Sequence, residues 1–246
     1  MPDLSLWQHI AIGLIFIWTG FVRTGLGFGG AALGLPFMLL VIPDPLFFLP
    51  LISVHLLFFA SLTASTQLSH IDWNYLYRSL LVMLVPFFAG IFGLLNLPAQ
   101  WLSLLVFSMT FIYALTYAFN ITIRSNHYLL DWLLLGFGAY VAGTSLIGAP
   151  LIVAVYIAHV AAHQLRNTLF ILWIIFVSIK MAAFLSAGIN LHFSYAIMLI
   201  PLAAIGHYYG LKAHRHMLGS GTTAFRQKIG IVLLLVTSIG IWQSLA

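Results

Sequence analysis

Cysteine is absent from the 246 residues, which excludes disulfides, thiolate metal sites and cysteine nucleophiles. Acids are almost as scarce. Asp3, Asp44, Asp72 and Asp131 are the whole set, and each falls at an expected loop or span end. Paired carboxylates, a Gly-x-Ser-x-Gly elbow and a His-Glu-x-x-His run are all missing, so intramembrane catalysis is disfavoured and the chain is not expected to be an enzyme. His159 and His163 stand four apart and could share a helix face, and His214 and His216 lie close together. Neither pair has the carboxylates or thiolates that usually complete a metal site, so a metal-cation transporter is disfavoured as well. No cofactor, no bound metal and no nucleic-acid partner is expected.

What fills the sequence instead is apolar. Hydrophobic residues make up 63% and charged residues 5%, with a mean hydropathy of +1.10. Such a composition cannot coat a soluble domain and describes an all-α polytopic membrane protein whose first partner is the lipid bilayer. Early polar residues (Pro2, Asp3, Gln8, His9) and the lack of a basic n-region predict a retained first span. With spans of about 20 residues, fewer where the backbone is broken, the expected elements are 8–24, 29–42, 46–66, 76–96, 100–119, 129–146, 149–162, 167–187, 192–211 and 227–244. Pro43-Asp44-Pro45, Asn96-Leu97-Pro98 and the glycine/threonine stretch Leu218–Thr223 mark turns.

The feature that organises the chain is Arg23-Thr24-Gly25-Leu26-Gly27-Phe28-Gly29-Gly30-Ala31, set between apolar runs. Each glycine in a helix interior costs ~1 kcal/mol relative to alanine, so this density predicts a break. Non-helical backbone at membrane depth is tolerated only where protein buries it or a cavity bounds it. A cation beside such a break reads as the site of an anion.

The two halves resemble each other. Gly25, Gly30 and Ala31 recur 118 positions later as Gly143, Gly148 and Ala149, and Ile71-Asp72 recurs as Ile189-Asn190 at the same offset. Pro86 and Gly90 recur as Pro201 and Gly206, at offsets of 115 and 116. The expected organisation is a first transmembrane repeat over 1–120 and a second, inverted one over 121–246, each of about five elements with a helix broken at its glycine motif. An odd element count inverts the second half. The positive-inside rule agrees: the basic stretch Lys212–Lys228, Arg166, Arg124 and Arg78 fall on the cytoplasmic side, and the loops around Pro43, Pro98 and Asn190 carry no Lys or Arg. Both termini are then expected outside.

The glycine-rich breaks near the start of each half, together with the Ile71-Asp72-Trp73 turn, resemble the TauE/SafE family of bacterial membrane proteins, associated with export of sulfite, sulfonates and related organosulfur anions. The resemblance runs from about Gly20 to Gly210. Its second motif, Gly143-Thr144-Ser145-Leu146-Ile147-Gly148-Ala149-Pro150, has fewer glycines than the first but keeps a polar pair and a proline. The resemblance implies a multi-pass anion transporter of the bacterial inner membrane.

On this reading the two breaks present half-helix starts to a small oxyanion near the midplane. The substrate-binding residues are expected to be Arg23, Thr24, Gly25, Gly27, Gly29, Gly30, Gly143, Thr144, Ser145, Gly148 and Lys180. Lys180 sits deep in an apolar span with Ser178 nearby. Each residue has a plainer role beside it: glycines pack helices, hydroxyls bond back to their own helix, and Arg23 flanks a span end. His55 is the one histidine well inside the third element and the candidate for proton handling, with a hydrogen bond between helices as the plainer fate. Ser61, Thr63, Ser65, Thr66 and Gln67 continue that element as a polar stripe. A homodimer is compatible with the sequence. A non-transporting membrane assembly factor and a channel-like pore for another small solute are the competing functions.

Overall fold

A computed structural model describes residues 4–26, 30–64, 70–121, 125, 127–217 and 223–245. Among them the secondary structure is helical throughout: α1 (Leu6–Leu26), α2 (Gly30–Val41), α3 (Pro45–Ala64), α4 (Trp73–Asn96), α5 (Ala99–Ala118), α6 (Tyr128–Ser145), α7 (Ala149–His159), α8 (Ala162–Ser186), α9 (Phe193–Met217) and α10 (Thr223–Leu245). Seven of these are long and apolar enough to cross a membrane, namely α1, α3, α4, α5, α8, α9 and α10, while α2 and α7 are shorter apolar helices. The chain is thus an all-α polytopic membrane protein, as its composition requires.

Helix boundaries differ from expectation where polar residues extend a span beyond its apolar stretch. Asp72 caps α4 by accepting from Tyr75 N at 2.9 Å, so the helix begins at Trp73 rather than at 76. The basic run after residue 211, expected as a connection, is the last part of α9. Cations suit the negative end of a helix, and Lys212 Nζ also lies 4.7 Å from the Tyr208 ring centroid one turn back. Ser65, Thr66 and Gln67 of the polar stripe lie outside the described residues, and Ser61 is exposed.

The helices divide into two compact units. The first comprises Met1–Phe48, Pro98–Thr122 and His192–Ala246, and the second Leu49–Leu97 and Ile123–Leu191. Each therefore draws on both halves of the sequence.

In the first unit α1 lies along α9 and α5 along α10, with α2 packed on α1, α5 and α10. Glycine sets the closeness of the α1–α9 pair: a methyl on Gly20 would overlap Ala203 O, and one on Gly206 would overlap Ile17 O. Val22, Leu33, Ala114, Tyr117, Ile229 and Leu233 form a buried cluster joining α1, α2, α5 and α10.

In the second unit the central pair is α4 with α6, and the same device recurs. A methyl on Gly143 would overlap Phe87 O, and one on Gly90 would overlap Tyr140 O. The spacing is identical in both pairs: a contacting carbonyl and a glycine three residues apart on each helix, as in Ile17/Gly20 with Ala203/Gly206 and Tyr140/Gly143 with Phe87/Gly90. By packing role, the counterpart of Gly143 is Gly20. α8 joins this pair through Phe176, whose ring stacks on Phe87 at 4.1 Å.

Candidate functional site

The second glycine motif is a true break. α6 ends at Ser145, Leu146 turns into the left-handed region at φ 61°, and α7 starts at Ala149 behind Gly148. Leu146 N donates to Ala142 O at 3.0 Å, closing the end of α6. The first turn of α7 has no side-chain cap, and Pro150 there lacks an N–H. All of Gly143 to Ala149 is buried. Gly148 is fixed by packing, since a methyl there would overlap Gly138 O on α6. Gly143, against Phe87 O, is fixed in the same way. Both glycines thus satisfy a close approach of backbones. The hydroxyls of Thr144 and Ser145 donate to Val141 O at 3.0 and 2.9 Å, so each bonds back to its own helix.

Lys180 completes this constellation from α8. Its side chain is fully buried, at 0% exposure, and Nζ donates to Ala142 O at 2.8 Å. The ammonium therefore lies at the carbonyl end of the broken helix, where its charge is favourable. No carboxylate pairs with it among the described residues, in which the one ion pair is His159–Asp131. An ammonium carries three donors, and Ala142 O engages one of them. Residues 37 positions apart are thus gathered at one break: Gly143, Thr144, Ser145 and Gly148 with the cation of Lys180.

The first motif belongs to the other unit. Gly25 falls in the last turn of α1, Gly30 opens α2, and Gly27 and Gly29 lie outside the described residues. Arg23 is half-buried in the last turn of α1, with its Cβ and Cγ against Gly30. Thr24 is buried, and Thr24 Oγ1 shares a hydrogen bond of 2.7 Å with His207 Nδ1 on α9. Trp18 Nε1 donates to Leu33 O at 3.0 Å and ties α1 to α2 across the motif.

His55 is buried in α3, and because a carbonyl only accepts, its Nδ1–H donates to Leu51 O at 2.7 Å. His159 and His163 do not share a helix face: α7 ends at His159, and His163 lies on α8 beyond the break at Val160–Ala161. Extended backbone at Val160 interrupts the helical spacing on which that expectation rested. His159 binds Asp131 at 2.8 Å, and His163 meets the His70 ring edge-on at 6.2 Å.

Sequence reasoning missed His207, the Asp131–His159 pair, and the bond of 2.6 Å between Ser79 Oγ and the Tyr156 hydroxyl. The partners are 183, 28 and 77 residues apart, and no local pattern joins them.

Among the described residues, ten helices, seven of them long and apolar enough to cross a bilayer, define a multi-pass membrane protein. The model of the sulfite exporter TauE/SafE family matches residues 12–239, nearly the whole chain, and the chain belongs to that family. It is a family of membrane transporters. No curated protein and no solved structure matches the chain.

Proposed function

We propose that the protein exports a small organosulfur anion, sulfite or a sulfonate, across the bacterial inner membrane by alternating access. The observation that carries this reading is Lys180: a fully buried cation with no carboxylate partner among the described residues, held at the end of a broken helix. Burying a charge in an apolar span costs several kcal/mol, and an anionic ligand offsets that cost each time it binds. Two donors of the ammonium remain for sulfur-bound oxygens, with the uncapped first turn of α7 beside them. Arg23, Thr24, Gly25, Gly27, Gly29 and Gly30 at the first motif are proposed as further substrate contacts. The inverted-repeat reading, with repeats over 1–120 and 121–246, is supported by the matched glycine crossings of α1 with α9 and of α4 with α6.

Export needs no acid in the membrane. An inside-negative potential supplies ~2.3 kcal/mol per charge per 100 mV to an outward-moving anion.

Counterflow of labelled sulfite into proteoliposomes tests the proposal. Lys180→Gln is the informative variant, because the amide keeps N–H donors but carries no charge. Saturable exchange is expected to fall at least tenfold with Lys180→Gln while the thermal midpoint of the purified protein stays near that of wild type. Exchange that survives both Lys180→Gln and Arg23→Ala places the anion elsewhere. A second reading, in which the motif serves packing in a non-transporting assembly, draws on the tight seating of Gly143 and Gly148; it forecasts no exchange of sulfite or any sulfonate by the wild-type protein.

A further inference from the structure

A pocket of about 650 Å³ opens between the start of α6 and the end of α7, remote in sequence from the glycine motifs' own turns. Ser125, Tyr128, Asp131 and His159 line it, over Ala154 and Ala158. Two polar atoms here are buried without a partner: Asp131 Oδ1 and Ser125 Oγ. Ser125 as a whole is 4% exposed. The other carboxylate oxygen, Oδ2, accepts from His159 Nε2 at 2.8 Å. His159 is in turn held face-on by the Tyr75 ring of α4 at 5.3 Å, so the imidazole is fixed as a backing for the acid. His127, also in the lining, uses Nδ1 to accept from Leu129 N as the cap of α6.

Among the described residues no Lys or Arg lines this pocket. Among the described lining residues Asp131 is the one carboxylate, and its orphaned oxygen requires donors. The last carbonyls of α7 add partial negative charge, because His159 is the final residue of that helix. The pocket is far larger than the coordination shell of a monatomic ion and falls in the range of small-molecule sites, about 300–1,000 Å³. Its walls combine apolar alanines with a tyrosine ring. A ligand with several N–H donors, a positive charge and a short apolar body answers all of these features.

We propose that this pocket binds a small primary ammonium ion, whose N–H groups donate to Asp131 Oδ1 and Ser125 Oγ while its alkyl part lies on Ala154 and Ala158.

Calorimetric titration of the purified full chain with n-butylammonium chloride tests this, with 1-butanol and sodium chloride as parallel titrants. Wild type is expected to bind n-butylammonium saturably and 1-butanol not at all. Asp131→Asn is expected to weaken binding at least tenfold, Ser125→Ala about threefold. Ala158→Trp fills the pocket at an exposed position and is expected to abolish binding, so it decides the matter if Asp131→Asn fails to fold. Absence of saturable binding to wild type overturns the proposal. So does binding that Asp131→Asn and Ala158→Trp leave unchanged. Sodium chloride that competes with n-butylammonium at equal concentration overturns the ammonium assignment in favour of an inorganic cation.

Discussion

Glycine does two different things in this chain, and single substitutions separate them. Gly143 and Gly90 sit where a methyl would enter a neighbouring backbone, whereas Gly136, on the same helix as Gly143, has Pro86 Cγ at 3.8 Å, an ordinary contact. Overpacking of a tight crossing costs about 1–3 kcal/mol. Gly→Ala in an open helical position gains about 0.5–1 kcal/mol. Gly143→Ala and Gly90→Ala are therefore expected to lower the thermal midpoint in detergent, and Gly136→Ala to leave it unchanged or raise it. Equal effects at Gly143 and Gly136 would show that the α4–α6 crossing is looser than its geometry indicates. Lys180 has two duties in the proposed mechanism: its bond to Ala142 O holds a helix end, and its charge meets the anion. Substitution to glutamine removes the charge and keeps N–H donors near the helix end.

At the level of the element, the Ile71-Asp72-Trp73 turn acquires a mechanical role. Asp72 accepts from Tyr75 N at the start of α4, and its own N–H donates to Thr168 Oγ1 at 3.0 Å on α8. One residue both caps a span and pins it to another. Asp72→Ala is expected to cost about 0.5–2 kcal/mol as a lost cap, read as a lowered unfolding midpoint; Asp72→Asn, which can still accept, is expected to retain most of it. The ten helices among the described residues and the second break were legible in the sequence because hydropathy and glycine density are local properties. The second break was located to within a residue: element 129–146 against α6 at Tyr128–Ser145. What surrounds the break was less legible. Lys180 stood out as a charge in an apolar span, but its placement against Ala142 depends on how α8 packs on α6. The repeat was sensed through Gly25 and Gly143, yet the close-packing counterpart of Gly143 is Gly20, because the chain between crossing and break is longer in the first half. Thr24 was singled out and His207 was not, since nothing in a sequence of this composition distinguishes a bonded imidazole from an interfacial one.

For the molecule as a whole, the lack of cysteine makes orientation directly measurable, because every introduced thiol is unique. In the inverted-repeat reading Asn190→Cys reacts with a membrane-impermeant maleimide from outside intact cells, and His163→Cys only after the membrane is opened. Both positions are exposed. Labelling with the opposite sidedness would reverse the orientation, and labelling of both from one side would refute a full crossing by α8. The interleaving of the two compact units also bears on how the protein is made. Thr24 meets His207 and α5 meets α10, so the first unit gathers its helices from the start, the middle and the end of the sequence. At ~5–20 residues per second, ribosomal synthesis separates Thr24 from His207 by about 10–40 s. The second unit, ending at Leu191, has all its helices earlier. During that interval α1, with Arg23 near its end, lacks the helix it is shaped to fit. α1 thus waits for its packing partner α9 until almost the last helix is delivered.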